Sequence, residues 1–353
     1  MSDKLGIGVI GVGTIGSVHT DAYAKVEAAE VVALCDIKPD RLEEKGRQHG
    51  IETLYKNYHD LLADPSVQAV SVCVPNALHA PISVDAFRAG KDVMLEKPMA
   101  MNQQEAMQIC QARDAAGKVL QLGMVLRQHA NSQVVKDLVS NGHLGEIYHM
   151  RVVRVRRRGI PGLGGWFTTK DQSGGGALID IAVHSFDLAL WLSEYWQPTA
   201  VSATTYAKFG PLMEDYHYTG MWAGPPDYDG VFDVDDYATG SVRFGRQATM
   251  SFEVAWAANT AEESFVELLG DKAGVRIGDS GPVKLTGELD GRLSDTSVQF
   301  ATQDGFQIEM QRFVEAALGR GEPAATGEQG VVIMKLLDAI YQSSAEAREV
   351  TIS

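Results

Sequence analysis

Cysteine is scarce, with three in 353 residues and no C-x-x-C spacing. Cys35 and Cys73 sit in apolar, strand-like runs and Cys110 in a helix-like stretch. Such dispersed thiols build neither a disulfide framework nor a thiolate metal site, and they suit a reducing compartment. Basic residues are outnumbered, 31 Lys and Arg against 46 Asp and Glu, for a net charge of −15. A sequence-independent grip on nucleic acid needs a cationic surface that displaces phosphate counterions, so no nucleic-acid partner is expected. No uncharged apolar run approaches the roughly 18 residues of a bilayer span. Histidines at metal-ligand spacing, such as H-E-x-x-H, are missing too, so no metal is expected. The apolar start, residues 5–15, is broken by four glycines and lacks a basic leader. It reads as a first strand of a cytoplasmic protein rather than a signal core.

Hydrophobic residues make up 45% of the chain and charged ones 22%, the mixture of a folded protein with a sizeable core. The length suits two domains. Short apolar runs at 5–10, 30–34, 69–74, 92–95 and 119–124 alternate with helical patterns at 20–27, 41–49, 81–89 and 103–116. Strands apolar on both faces and separated by helices predict a parallel α/β sheet over residues 1–125. Beyond residue 145 longer strands follow one another, at 146–155, 200–208, 238–244, 248–256 and 264–269. One apolar helix, 177–192, interrupts them, and helices at 306–318 and 328–347 follow. Residues 126–353 therefore read as an α+β domain with an open, mostly antiparallel sheet, one face packed and the other used for assembly.

Gly11-Val12-Gly13-Thr14-Ile15-Gly16 follows the first strand. In such a turn the first glycine permits the bend, the second lets backbone approach a pyrophosphate, and the third lets helix and strand pack. Amides at the helix start then hold the phosphates. Asp36 ends the second strand 20 residues beyond Gly16, where a carboxylate can accept from the ribose hydroxyls. It would repel a 2′-phosphate, which favours NAD over NADP; Lys38 and Arg41 lie near enough to soften that preference.

Lys97, in Glu96-Lys97-Pro98, follows another strand, where parallel sheets present residues to a ligand crevice. The helix 177–192 is apolar around its circumference and should be buried. Its ionisable groups, Asp180, His184 and Asp187, fall at i, i+4 and i+7, on one face of a regular helix. They are either core struts that satisfy one another or the lining of a wet site. The preceding Gly174-Gly175-Gly176 suggests an opening that admits a ligand. The long loop 211–233 carries Tyr216, Tyr218, Trp222, Tyr228 and Phe232. Such a loop is a functional element, a subunit contact, or aromatics packed onto their own domain.

These motifs together resemble the oxidoreductases typified by glucose–fructose oxidoreductase and inositol 2-dehydrogenase. The resemblance rests on the glycine turn, Cys73-Val74-Pro75-Asn76 with His79, Glu96-Lys97-Pro98, and the glycine triplet followed by Asp180 and His184. It spans nearly the whole chain. It implies a Rossmann domain, an open-sheet domain that makes homodimers or homotetramers, and a catalytic group of Lys97, Asp180 and His184. It also implies cofactor contacts at Pro75, Asn76, His79, Glu96 and Lys97. Arg127, Arg156 and Trp166 are candidate substrate contacts. The segment 156–162, with Trp166-Phe167-Thr168, Val234-Asp235-Asp236 and residues 270–274, looks closest to bacterial glucoside 3-dehydrogenases. Four activities compete on this reading. They are glycoside or sugar 3-dehydrogenase, inositol-type dehydrogenase, NAD-dependent glycosidase, and a non-catalytic NAD-sensing regulator.

Overall fold

The computed structural model describes residues 4–279 and 281–352. They form two compact units, one from residues 4–128 and 304–331, the other from residues 129–279, 281–303 and 332–352.

The first unit holds six parallel strands: β1 (Leu5–Ile10), β2 (Ala29–Cys35), β3 (Leu54–Tyr55), β4 (Ala69–Val72), β5 (Asp92–Leu95) and β6 (Leu120–Leu122). Their order is β3-β2-β1-β4-β5-β6, the doubly wound arrangement whose direction reverses between β1 and β4. Every residue of β1, β4, β5 and β6 is buried, which is why these strands read as unbroken apolar runs. The expected helix at 20–27 is instead Thr14–Tyr23, beginning at the glycine turn itself. Gly13 serves as the helix N-cap. β3 and the helix Tyr58–Ala63 are too short to leave a periodic signal.

The expected division at residue 125 needs correction, because the first unit takes back part of the distant chain. Met310, Phe313 and Val314 of the helix Gly305–Ala317 join the same core as Ile7, Val9, Tyr23 and Met94. An amphipathic helix buries its apolar stripe wherever a complementary face exists, and sequence distance does not restrict that choice.

In the second unit nine described strands form one sheet: β7 (Ile147–Val155), β8 (Ala200–Tyr206), β9 (Tyr237–Phe244), β10 (Ala248–Ala255), β11 (Glu263–Gly270), β12 (Ala273–Gly278), β13 (Val283–Leu289), β14 (Arg292–Val298) and β15 (Val350–Thr351). The order is β14-β13-β12-β11-β7-β10-β9-β8-β15, antiparallel except where β10 pairs with β7. On β10 the buried Ala248, Met250, Phe252 and Val254 alternate with half-buried Thr249, Ser251 and Glu253. The buried face packs on the helix Val183–Ser193, where Phe186 meets Phe252 edge-on at 5.1 Å between centroids. β13 and β14 were not expected: both are largely exposed, and while Val283, Leu285 and Leu289 alternate with polar residues on β13, β14 carries almost no apolar alternation. By length and composition the stretch Lys170–Ser193, with a mean hydropathy of 1.3, would pass for a membrane span. The most apolar 18 residues of that stretch are 89% buried within the fold, so their apolar character serves the core.

Candidate active site

In the first unit the candidate residues follow the carboxyl ends of β1, β2, β4 and β5, on either side of the switch point. Gly11 has a φ of +87°, and a Cβ there would lie 2.3 Å from the Cys73 carbonyl oxygen. A Cβ on Gly16 would lie 1.9 Å from the Gly11 oxygen, so this glycine is required by packing alone. Gly13 differs: its Cβ would meet only Arg41 Nη1, at 3.6 Å. It thus leaves room for a ligand beside the helix start, where the amides of Thr14, Ile15 and Gly16 have no partner within the helix.

Asp36 is buried, its Oδ2 accepting from the Val12 N–H at 3.0 Å and its Oδ1 from the Lys38 N–H at 2.8 Å. Each oxygen keeps a further acceptor site for a ribose hydroxyl. Arg41 Nη1 stands 3.6 Å from Oδ2 and partly offsets the negative charge. Beside it Ile37 is 84% exposed, an apolar surface on which a flat base can rest. The open glycine, the helix-start amides, the carboxylate and this apolar shelf fit a dinucleotide.

Two of the expected cofactor contacts turn inward. His79 is buried, with Nδ1 2.7 Å from the Pro98 oxygen and Nε2 2.9 Å from the Val74 oxygen, so it braces one turn against another. Glu96 is also buried, and its Oε1 accepts from His19 Nε2 at 2.9 Å. Burial favours the neutral carboxyl, but the bond and charge of His19 together with Lys97 outweigh it and hold Glu96 below the ordinary carboxylate range. Pro75 remains half-buried while Asn76 is buried. Lys97 is the one residue between Lys91 and Ala100 that is not buried. Arg127, expected to touch substrate, is 1% exposed and donates to the Ala324 oxygen at 2.9 Å and Gln329 Oε1 at 2.8 Å. It ties the first unit's own segments together.

In the second unit the expected regular helix begins as a π-turn, Leu178–Ala182, and continues as α-helix over Val183–Ser193. A π-turn holds more residues than an α-turn, so the expected i, i+4 alignment is not kept across it. Asp180 and Asp187 are buried, whereas His184 is the one residue between Gly175 and Leu190 that is not. Asp180 Oδ2 accepts from the Trp256 indole N–H at 2.9 Å. Arg156 is half-buried; burial lowers its pKa, and the Asp180 carboxylate is the leading influence in the other direction. The structure therefore brings Arg156 into the electrostatic neighbourhood of Asp180. Half-buried Trp166 stacks on Phe167 at 3.7 Å, and Phe167 meets Trp222, 58% exposed, edge-on at 5.0 Å.

The glycine triplet has a different use from the expected opening. A Cβ on Gly175 would lie 2.0 Å from the Tyr341 hydroxyl, and one on Gly176 1.7 Å from the Asp235 backbone oxygen. These glycines make room for protein. Asp235 Oδ1 accepts from the Gly176 N–H at 2.9 Å and the Tyr341 hydroxyl at 2.8 Å, and Oδ2 accepts from the Leu178 N–H at 2.8 Å. It thereby satisfies amides at the start of the helix that carries Asp180 and His184. Burial raises the Asp235 pKa in spite of those bonds. Neighbouring Asp236 Oδ2 accepts from the N–H groups of Lys208, Phe209 and Gly210 at 2.8, 2.6 and 2.9 Å, which anchors the aromatic loop. The bracing roles of Asp235, Asp236, Trp256 and Tyr341 went unread in the sequence. A paired acidic dipeptide beside an apolar strand was the one available signal.

Among the described residues no cluster of His, Cys, Asp and Glu could hold a metal ion. Burial pushes the Cys35 and Cys110 thiols up to about 12 and about 11, so neither is a reactive thiolate near neutrality.

Comparison with known proteins agrees with this arrangement. Residues 5–124 match the family model described as oxidoreductase family, NAD-binding Rossmann fold, and residues 132–276 match the GFO/IDH/MocA C-terminal domain. The chain is 31% identical to D-glucoside 3-dehydrogenase of Escherichia coli (strain K12), covering 97% of this chain and 96% of that one. It is 27% identical to myo-inositol 2-dehydrogenase of Thermotoga maritima over 98% and 97% of the two chains. Among solved structures, the aldose–aldose oxidoreductase of Caulobacter crescentus, complexed with glycerol, superposes with a TM-score of 0.83 at 26% identity over 99% of each chain.

Proposed function

This chain belongs to the GFO/IDH/MocA family of NAD-binding oxidoreductases, and from that premise we propose that it oxidises a secondary ring hydroxyl of a sugar or glycoside. One observation carries the reading: from Gly175 to Leu190 every residue is buried except His184, which is half-buried beside the buried Asp180. An imidazole within hydrogen-bond reach of a hydroxyl suits removal of its proton.

When bound, NAD supplies the hydride acceptor. His184 takes the hydroxyl proton, and the carbinol C–H leaves as hydride, so alcohol becomes ketone. Lys97 stabilises the negative charge that develops on the oxygen. Asp180, held by Trp256, orients the substrate or its basic partner, with Arg156 nearby. Half-buried Trp166 and exposed Trp222, both packed against buried Phe167, offer aromatic surface to a sugar ring. The sheet face away from the apolar helix carries Val153 and Phe265, with Arg151 and Arg276 over the Phe265 ring, and we assign it to homo-oligomer assembly.

Within the family, the similarity to a D-glucoside 3-dehydrogenase favours a glycoside oxidised at ring position 3. The second reading, a cyclitol substrate, draws on the 27% identity to a myo-inositol 2-dehydrogenase. Incubating the purified protein with NAD and a panel of glucosides and inositols, then identifying products by mass, tests both. We expect an oxo-glycoside lighter by two hydrogens. An inosose alone would favour the second reading, and a released free sugar would replace both with net glycoside hydrolysis.

A further inference from the structure

Behind the glycine turn lies a buried polar network that the proposed chemistry does not use. The helix Thr14–Tyr23 contributes His19 and Tyr23, β4 and its exit contribute Ser71 and Cys73, and Glu96 follows β5. None of the five is more than 7% exposed. His19 Nε2 lies 2.9 Å from Glu96 Oε1, and its Nδ1 lies 3.1 Å from Ser71 Oγ and 3.4 Å from Cys73 Sγ. The Tyr23 hydroxyl lies 3.0 Å from Ser71 Oγ. The Phe306 ring is 6.3 Å from the imidazole.

The direction of these bonds follows from their ends. Glu96 accepts the Lys97 N–H on Oε2 at 3.2 Å, and an ionised carboxylate can only accept, so His19 carries a proton on Nε2. On the other side of the ring, Ser71 Oγ and Cys73 Sγ both stand within hydrogen-bond reach of Nδ1, and the Tyr23 hydroxyl pairs with Ser71 Oγ. The carboxylate has little freedom to turn. A Cβ on Gly123 would lie 2.7 Å from Glu96 Oε1, so backbone packs directly against it. From the other side His79 reaches the Pro98 oxygen.

We propose that His19 is a positioning residue for Lys97. It fixes the Glu96 carboxylate, whose second oxygen holds the Lys97 amide, and thereby sets where the ammonium leaves the strand. Because His19 rides on the helix whose first turn is the dinucleotide turn, seating of NAD and placement of Lys97 are mechanically linked. The kinetic part of this inference rests on the role given to Lys97 in the proposed reaction.

The test compares His19→Ala, His19→Gln, Glu96→Gln and Lys97→Ala in the full chain. Misplacing a reacting group by about 1 Å can cost 10²-fold, so we expect His19→Ala to lower kcat about 10- to 100-fold. KM and the NAD dissociation constant should stay within about threefold, since no substrate contact is removed. His19→Gln keeps an N–H donor within reach of Glu96 and should recover most of the loss. Should His19→Ala fail to fold, Glu96→Gln carries the comparison and should show the same kcat-selective loss. A second readout needs no substrate: acylation of Lys97 by an amine-directed reagent, followed by peptide mass spectrometry with and without NAD. We expect NAD to change the labelling rate of Lys97 in wild type and in His19→Gln but not in His19→Ala. A His19→Gln enzyme as impaired as His19→Ala overturns the proposal, and so does an NAD effect on labelling that survives in His19→Ala. If Lys97→Ala keeps full kcat, the assigned role of Lys97 has failed instead, and labelling decides the positioning claim by itself.

Discussion

Lys97 and His184 reach the surface from buried surroundings by different routes. Lys97 leaves the end of a central parallel strand, at a turn braced from within by Glu96 and His79. His184 emerges from a helix whose first turn is widened to a π-turn and whose starting amides are held by Asp235. Each unit thus uses a buried carboxylate to fix the chain beside one half-buried, nitrogen-bearing residue. The two carboxylates differ in what they face. Glu96 meets an imidazole and the ammonium-bearing residue and is held in its charged form, whereas Asp235 meets backbone amides and a phenol and is pushed toward neutrality by burial. A fixed charge beside Lys97 belongs to the reaction proposed for it. A helix brace needs only acceptors.

The sharpest way to break this comparison is to remove the two nitrogens. His184→Ala and Lys97→Ala should each lower kcat by about 10²–10⁴, the usual worth of a positioned acid–base group. The double variant should fall well short of additive, because groups acting as a unit lose most of their effect together. A folded His184→Ala enzyme that keeps more than about a tenth of wild-type kcat would move the base to Lys97 or to water. NAD affinity should be nearly unchanged in His184→Ala, as calorimetry can show.

A smaller effect separates cofactor choice from catalysis. Asp36 should give NAD at least a tenfold preference over NADP, about 1.4 kcal/mol. Asp36→Ala should narrow that ratio while leaving kcat with NAD within a few-fold. Equal dissociation constants for both cofactors in wild type would show that Arg41 neutralises the carboxylate.

The third prediction sharpens the contrast between the carboxylates through pH. The Glu96 pKa is lowered by folding, so its contribution to stability is present above about pH 4.3, the unfolded value, and is lost as pH falls through the folded one. The Asp235 pKa is raised, so its ionisation costs nothing below about pH 3.9 and weighs increasingly against the folded state as pH rises toward the folded value. Thermal unfolding across the acid range should therefore show Glu96→Gln flattening the loss on acidification. Asp235→Asn should flatten the opposing slope. Parallel profiles for both variants would contradict the distinction.

The smallest effect concerns the aromatic loop. Trp222→Ala should raise KM about two- to tenfold, the worth of one aromatic contact, with kcat little changed. A shift in sedimentation without a change in KM would instead make the loop a subunit contact.

Much of this organisation is legible in the sequence because it depends on local rules. Strands buried on both faces leave unbroken apolar runs, and the turn from Gly11 to Gly16 needs glycine at each position for a reason that sequence spacing reveals. What stays hidden depends on distant partners. Asp235 braces a helix start almost 60 positions earlier, and only folding shows that Gly175 and Gly176 yield space to Tyr341 and Asp235. Arg127, His79 and Glu96 stand in motifs that suggest ligand contact, yet Arg127 Nη1, both His79 ring nitrogens and the Glu96 carboxylate bond within the first unit. The π-turn is invisible to helical periodicity, which assumes constant pitch.

The helix Gly305–Ala317 also has a consequence for the order in which the protein can be made. Its Met310, Phe313 and Val314 fill the core beside Tyr23 and Val9. During synthesis the dinucleotide-binding strands leave the ribosome first, but the side chains that close one part of their core are encoded nearly two hundred codons later. At about 5–20 residues per second that gap lasts roughly 10–40 s. Throughout it the nascent unit presents an apolar seam to the surrounding solution. Production of this protein therefore calls for chaperone cover during elongation, and a gene fragment stopped after codon 128 should give aggregated product rather than a separable cofactor-binding module.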